Sequence, residues 1–346
     1  MSGFRPLKVI AKIRESRLIT SFHLAAGNVP LEGFKPGQFL VFRIATPHGE
    51  VVRNYSLSGS PDALGHYRIS VKREDLGGSS QYLHDHVQVG DSLLAEGPRG
   101  AFVLDEAGNR PVVLLSGGVG LTPMVAMLHR LVKGTRRVLF LHACEGGDVH
   151  ALRDEVEALV ATRPGLSAHF CYRTPSDQDR QTKRFHSEGV FTREQLQSLL
   201  YLDDYDFYLC GPPPFMAAMY QTLCSLGVPK TRIAYEFFGP ATVLEAAANP
   251  APKPFVAAPS EGAITVEFRK SGITTDWTGA ADSLLALAED MGLSPEFSCR
   301  AGICNSCKSS ITAGEVDYFE DPLDDLSPGE VLICCSRPKT SVVLEL

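Results

Sequence analysis

Three cysteines fall within nine residues at Cys299–Cys307, "CRAGICNSC". No other stretch constrains the fold as tightly, because such a density of thiols needs a disulfide framework, a zinc site or an iron–sulfur cluster to explain it. Zinc ribbons and fingers carry two C-x2-C-like pairs, or one pair with histidines. Here a single C-x2-C is preceded by C-x4, and no histidine lies between Ala263 and Leu346. The other thiols of that region are Cys334 and Cys335, and either one completes the C-x4-C-x2-C…C spacing of a [2Fe–2S] centre. Gly302 permits a tight loop whose backbone N–H groups point at the sulfides, and the small residues Ala301, Asn305 and Ser306 let the chain wrap closely. The isolated Cys144, Cys171 and Cys224 read instead as buried free thiols.

The rest of the chain sorts into two textures. Residues 5–105 alternate in stretches such as "QFLVFRIAT" and "HYRISVKRE", separated by Gly and Pro turns, which predicts a closed antiparallel barrel. From Arg110, "PVVLLSGG" is a short apolar run suited to a parallel strand buried on both faces. A helix is expected from Thr122 or Pro123 to Leu131, with further helices near His150–Thr162 and after Thr192. Between them lie the strands "RRVLFLHAC", "LSAHFCYRT" and "YDFYLCGP", an alternation that predicts a doubly wound α/β domain. Strand character resumes in "ITVEFRK", and "SLLALAEDMG" reads as a helix stopped by Gly292. The expected organisation is therefore a β-barrel domain at 1–107, an α/β domain at 108–240, an Ala/Pro-rich linker at 241–261 and a third domain at 262–346.

Composition narrows the function. The net charge of −7 disfavours nucleic-acid binding. No apolar run has the length of a bilayer span, and "MSGFRPLKVIAKIRES" lacks a signal-peptide core, so a cytoplasmic monomer without membrane attachment is expected. From Ala263 to Leu346 there are fourteen Asp or Glu against six Lys or Arg, a net of −8. That excess is either a solvated face or a docking surface for a basic redox partner.

The C-terminal region resembles a plant-type ferredoxin over its whole domain, with the "CRxGxCxxC" pattern followed by Gly314, Val316 and a cysteine four residues before Pro338. The resemblance implies a β-grasp α+β fold with Cys299, Cys304, Cys307 and Cys334 as iron ligands, and Cys335 as a non-ligating neighbour. "RNYSLS", Arg53–Ser58, suits a flavin: Arg53 can pair with phosphate, and Tyr55 shares its strand face and can lie on the isoalloxazine. It resembles the R-x-Y-S signature of the ferredoxin–NADP reductase superfamily, which implies that Ser56 hydrogen-bonds flavin N5; Ser58 is expected among the cofactor-binding residues. Gly77, Gly78, Ser79 and Ser80 would open a helix whose N–H groups hold pyrophosphate, as a G-x-x-S loop does in that family.

"SGGVGLTPM" departs from the G-x-G-x-x-G fingerprint at Pro123, but is similar to the family's nicotinamide-nucleotide loop. The resemblance assigns Gly117, Gly118, Gly120 and Thr122 to the nucleotide. "CGPPPFM" matches the strand end that places Cys210, Gly211 and Pro212 beside the nicotinamide. "YEFFGP" resembles the end of the reductase part of flavohaemoglobins, which implies that Glu236 and Phe238 approach the flavin. Ser56, Cys210 and Glu236 are thus the expected catalytic set. The domain order is similar to phthalate-dioxygenase-type reductases, which use FMN, whereas the wider match favours FAD.

The implied function is an NAD(P)H-dependent reductase. It would pass electrons through FAD to [2Fe–2S] and on to a separate terminal oxygenase of Rieske type. A haem monooxygenase or other metalloenzyme is the alternative acceptor, and a redox-sensing binding protein the alternative role. The sequence does not separate NADH from NADPH: Glu145 could hold ribose hydroxyls and Arg173 a 2′-phosphate.

Overall fold

The computed structural model describes residues 3–238 and 264–346, except Asn28, His48, Leu64, residues 75–77, Ser294, residues 298–301, Cys304, Ser306 and Asp324. The chain divides into two compact units, Met1–Glu236 and Phe237–Leu346.

The first unit opens with β1 (Arg5–Arg14), β2 (Ile19–Ala25), β3 (Phe39–Thr46), β4 (Gly49–Ser56), β5 (Tyr67–Lys72), the helix α1 (Ser79–Asp85) and β6 (Ser92–Arg99). These six strands form one sheet in the order β4-β3-β6-β1-β2-β5. Leu57, just beyond β4, bridges antiparallel to Ile69 on β5 and closes the sheet on itself. Leu7, Val9, Phe22, Leu24, Leu40, Phe42 and Ile69 fill the interior, so the expected barrel is present.

The unit continues with β7 (Val112–Gly117), α2 (Leu121–Leu131), β8 (Val138–Cys144), α3 (Arg153–Val160), β9 (Leu166–Tyr172), α4 (Asp177–Thr182), β10 (Ser187–Glu188), α5 (Arg193–Leu199), β11 (Asp206–Gly211), α6 (Pro213–Ser225) and β12 (Ile233–Phe237). The sheet order is β10-β9-β8-β7-β11-β12, with β7 parallel to both β8 and β11. Every residue of β7 is buried, as a central strand covered on both faces requires. In α2 only His129 and Arg130 escape burial. Thr192 caps α5 with Gln195 in a reciprocal capping box. α3 begins at Arg153 rather than near the expected His150, because His150 is buried and Leu152 sits at φ 54°.

In the second unit, β13 (Thr265–Phe268), β14 (Ile273–Asp276), α7 (Leu284–Asp290), β15 (Lys308–Ala313), β16 (Val316–Tyr318), β17 (Glu330–Leu332), β18 (Ser336–Pro338) and β19 (Val342–Leu344) follow in turn. β14-β13-β19-β15-β17 form a mixed sheet, and β16 pairs with β18. Ser283 caps α7 by accepting from the Ala286 amide at 3.1 Å. Leu284, Leu285, Leu287 and Ala288 pack that helix into a core with Val266, Phe268, Val331 and Val342. The expected linker, 241–261, lies outside the described residues. Among the described residues no helix is long and apolar enough to cross a membrane.

Candidate active site

Chain order in the parallel sheet reverses between β7 and β11, and the crevice at such a reversal is where open α/β sheets bind ligands. Ser116 pairs with Cys210 there, so the turn Gly118–Gly120 and the Cys210–Pro212 strand end lie side by side. A Cβ on Gly120 would stand 2.3 Å from the Cys210 carbonyl oxygen and 2.7 Å from the Gly211 nitrogen. Gly118 holds φ +53°, with nothing among the described residues within 4 Å of where its Cβ would be. The Thr122 hydroxyl donates to the Val119 carbonyl at 3.1 Å and fixes the turn. Pro212, exposed, stands at the N-cap of α6. The sequence reading gave no role to Phe215, yet its ring lies 2.9 Å from a Cβ at Gly117 and 2.6 Å from one at Gly211. It fills the space between the two strand ends; its sequence signals are its place in "CGPPPFM" and the glycine on each of those ends.

Behind this crevice, Ser116 Oγ lies 2.9 Å from His142 Nδ1, and the His142 and His150 rings sit 4.6 Å apart. His150 Nδ1 meets the Tyr172 hydroxyl at 2.9 Å. Burial pushes His142 down to about 3 and His150 well below its ordinary value, so the network is neutral and holds the strand before the turn without charge.

Ser56, Cys210 and Glu236 come together. The Ser56 hydroxyl donates to the Glu236 carboxyl, whose charge is also felt at Cys210. Glu236 Oε2 is buried with no hydrogen-bond partner among the described residues. Burial pushes the Glu236 carboxyl up to about 8 against a small opposing effect from Ser56, and burial followed by Glu236 pushes the Cys210 thiol well above its usual range. At neutral pH the spot therefore holds a protonated carboxylic acid, a donor kept in reserve, and a neutral thiol.

That protonation has a thermodynamic signature. Between the unfolded value of 4.5 and the folded value of about 8 the folded chain binds more protons. Glu236 thus lowers stability by about 1.4 kcal/mol per pH unit as pH rises through that window. In flavin-depleted protein, Glu236→Gln should raise the melting temperature more at pH 8.5 than at pH 5, relative to the parent. Equal shifts at both pH values would place the raised carboxyl elsewhere.

On the barrel, Arg53 is exposed on β4 and donates through Nη1 to the Val52 carbonyl at 2.7 Å. Tyr55 packs on Phe42 at 5.8 Å between centroids, and its hydroxyl lies 3.3 Å from Ser79 Oγ. Burial raises the Tyr55 phenol. The two motifs singled out in the sequence thus meet at Tyr55 and Ser79, with Gly78 at φ +89° before α1. Ser80 Oγ accepts from the Glu74 amide at 3.2 Å, and Gly77 lies outside the described residues. Ser58 is fully buried, 2.8 Å from Ser70 Oγ. A cation, an aromatic ring and an unpaired buried oxygen fit a flavin. Tyr55→Ala is expected to raise the flavin dissociation constant roughly tenfold, in line with an aromatic contact of about 1–1.5 kcal/mol; equilibrium dialysis reads it, and unchanged retention would remove Tyr55 from the flavin contact. Phe238, half-buried, falls in the second unit.

In the second unit Cys307, Cys334 and Cys335 are buried. Burial raises the Tyr318 phenol against a hydrogen bond at the Leu332 backbone, and the charges of Cys335, Cys307 and Cys334 act in the same direction as burial. Cys335 Sγ is directed at the Leu332 carbonyl, 3.6 Å away, and lies 3.0 Å from where a Cβ on Gly302 would sit. Gly302 at φ +70° and Asn305 at φ 58° give the loop the left-handed turns a close wrap requires. Cys299 and Cys304 lie outside the described residues. Among the described residues no group of three His, Cys, Asp or Glu side chains is arranged for a metal; Cys307 and Cys334, two of the four thiols expected to hold iron, are both buried. Glu145 and Arg173 pair with each other at 3.4 Å, both well exposed.

Three family profiles match the chain: an oxidoreductase FAD-binding domain at residues 6–104, an oxidoreductase NAD-binding domain at 114–221 and a 2Fe-2S iron–sulfur cluster binding domain at 267–339. A flavohemoprotein of Bacillus thuringiensis is 42% identical over 255 residues, 70% of this chain and 62% of that protein. The chain thus spans about six-tenths of the length of the curated relatives it matches. The FAD/NAD-binding domain of a nitric oxide dioxygenase from Vibrio cholerae is 38% identical with a TM-score of 0.61, covering 69% of this chain and all of that one. Phthalate dioxygenase reductase, a modular structure for electron transfer from pyridine nucleotides to [2Fe-2S], is 27% identical with a TM-score of 0.59, covering 99% of this chain and 98% of that one.

Proposed function

The chain belongs to the FAD- and NAD-binding oxidoreductases of the ferredoxin–NADP reductase type that carry a C-terminal 2Fe-2S domain, and on that premise we propose that it is the reductase component of an oxygenase system. It is an NAD(P)H oxidoreductase with FAD and [2Fe–2S] as its cofactors. When bound, the flavin takes an electron pair from the nicotinamide as hydride and passes electrons singly to the iron–sulfur centre.

The residues divide the remaining work. Arg53 would pair with flavin phosphate, Tyr55 would lie on the ring with its hydroxyl tied to Ser79, and Gly78, Ser79 and Ser80 would face the pyrophosphate. Gly77, outside the described residues, is proposed for the same loop, and Phe238 for the other side of the ring. Gly117, Gly118, Gly120 and Thr122, with Gly211 and Pro212 across the crevice, would seat the nicotinamide nucleotide. Ser56 and Glu236 would hold a proton beside the flavin, and Cys210 would keep a small uncharged wall next to the nicotinamide. Cys299, Cys304, Cys307 and Cys334 would hold the iron.

The observation that carries this reading is the convergence of Ser56, Cys210 and Glu236 behind the crevice. The acceptor, a Rieske-type oxygenase, is proposed from the domain order shared with phthalate dioxygenase reductase and from the net charge of −8 over Ala263–Leu346, which suits a basic docking face. Purified protein mixed with NAD(P)H without air should bleach in its flavin band, and on admission of oxygen and the oxygenase's substrate it should drive such an oxygenase through many turnovers. Bleaching without any oxygenase turnover would sink the proposed partner, and no bleaching at all would sink the reductase reading.

A further inference from the structure

We infer that Glu155 is a positioning residue that sets the separation between the flavin-bearing strand end and the nucleotide turn; the inference rests on the reductase reading above. Arg68, on β5, donates from Nη1 to Glu155 Oε2 at 2.7 Å and from Nη2 to Oε1 at 2.9 Å. The same guanidinium donates from Nε to Ser58 Oγ at 3.2 Å and from Nη2 to the Ser58 carbonyl. Ser58 stands two residues beyond Ser56, and its hydroxyl is anchored inward through Ser70 to Ser21 at 2.8 and 2.7 Å. Gly59 leaves the room Arg68 needs, since a Cβ there would lie 3.2 Å from the Arg68 Cβ.

From its other side, Glu155 Oε1 lies 2.5 Å from His129 Nε2 on α2, the helix that starts at the residue after Gly120. One carboxylate on α3 therefore reaches the flavin motif through Arg68 and the nucleotide turn through His129. A two-bonded guanidinium–carboxylate pair fixes angle as well as distance.

Among the described residues this link is more buried than the other ion pairs that join segments 1–107 and 108–236. Arg17–Asp148 has both side chains 59% exposed, in Lys133–Asp62 the lysine is 57% exposed, and in Arg130–Asp62 the two are 33% and 34% exposed. Such pairs constrain little in water. Arg68 and Glu155 are 11% and 25% exposed, and His129 is 20% exposed. Burial alone would raise the Glu155 carboxyl, but hydrogen bonds from His129 and Arg68 more than offset it and hold it at about 2. The Arg68–Glu155 pair is thus charged at neutral pH.

Glu155→Gln keeps the size and removes the charge, and Arg68→Lys keeps the charge and removes the fork. In anaerobic stopped flow of the full holoprotein, both variants should lower the limiting rate of flavin reduction at saturating NAD(P)H by roughly tenfold, as expected of a sub-ångström misplacement of reacting groups. The apparent nucleotide dissociation constant and the flavin-to-protein ratio should stay within about threefold and unchanged, respectively. Hydrogen–deuterium exchange should accelerate together in segments 56–60 and 121–131. A limiting rate per bound flavin within about twofold of the parent in both variants would reduce Glu155 to a stability contact, and faster exchange confined to α3 would do the same. A parent chain unreactive to both nucleotides would overturn the reductase reading instead, leaving the exchange data to decide the link.

Discussion

Cys334→Ala is expected to give a folded protein that keeps its flavin and NAD(P)H-dependent bleaching but loses its iron, its reddish absorption and all reduction of the oxygenase. Cys335→Ala, one residue on, should keep all of these. The two thiols are adjacent in sequence and both buried, so the pair of variants tests which of them holds iron. Cys335 Sγ is already directed at the Leu332 carbonyl and packs under Gly302, so its removal leaves a small void costing about 1 kcal/mol. A [2Fe–2S] centre is held by four thiolates, and losing one leaves an iron without its sulfur ligand. Flavin reduction should survive because Ser56, Cys210 and Glu236 belong to the other compact unit. Iron analysis, the visible spectrum and stopped flow decide it. The reverse pattern, with Cys335→Ala colourless and Cys334→Ala intact, would move the fourth ligand by one residue and overturn the assignment drawn from the distance to Pro338.

Gly120→Ala should be nearly as damaging, and through sterics alone. The added methyl would sit 2.3 Å from the Cys210 carbonyl oxygen and 2.5 Å from its carbon, and neither atom belongs to a side chain that can swing away. The turn and the end of β11 must separate, which costs about 1–3 kcal/mol of stability. It also moves Gly118 and Thr122 away from Gly211 and Pro212, the two sides proposed to seat the nucleotide. Loss of that register should lower kcat/KM for NAD(P)H by roughly 100-fold while leaving reduction of the flavin by dithionite unchanged. Gly118→Ala makes a useful contrast: open space surrounds its Cβ, so its penalty comes from φ +53°, about 1–2 kcal/mol, rather than from collision. A Gly120→Ala enzyme with parental kcat/KM would show that the two strand ends need not touch.

Much of this was legible before any coordinates. The nine-residue cysteine run, the uniformly apolar "VVLL" of β7 and the Thr192 cap are local signals, written within a few residues of the structure they specify. The start of α3 was misjudged because His150 is spent on a contact with Tyr172, 22 residues away, and no helical periodicity reports that. The Arg68–Glu155 pair spans 87 residues and joins two elements whose individual patterns are unremarkable. The raised Glu236 carboxyl was equally hidden, since its cause is burial supplied by the whole first unit rather than by "YEFFGP". Local chemistry could name the motifs, whereas the way they are spaced and protonated is set by contacts distant in sequence.

The first compact unit is one unbroken stretch of chain ending at Glu236, and it is translated in full before Cys299. Protein domains fold as units, the N-terminal one first during synthesis. A nascent chain can therefore complete this unit while Cys299, Cys304, Cys307 and Cys334 are still unmade, and iron starvation is expected to leave behind a yellow protein rather than an unfolded one.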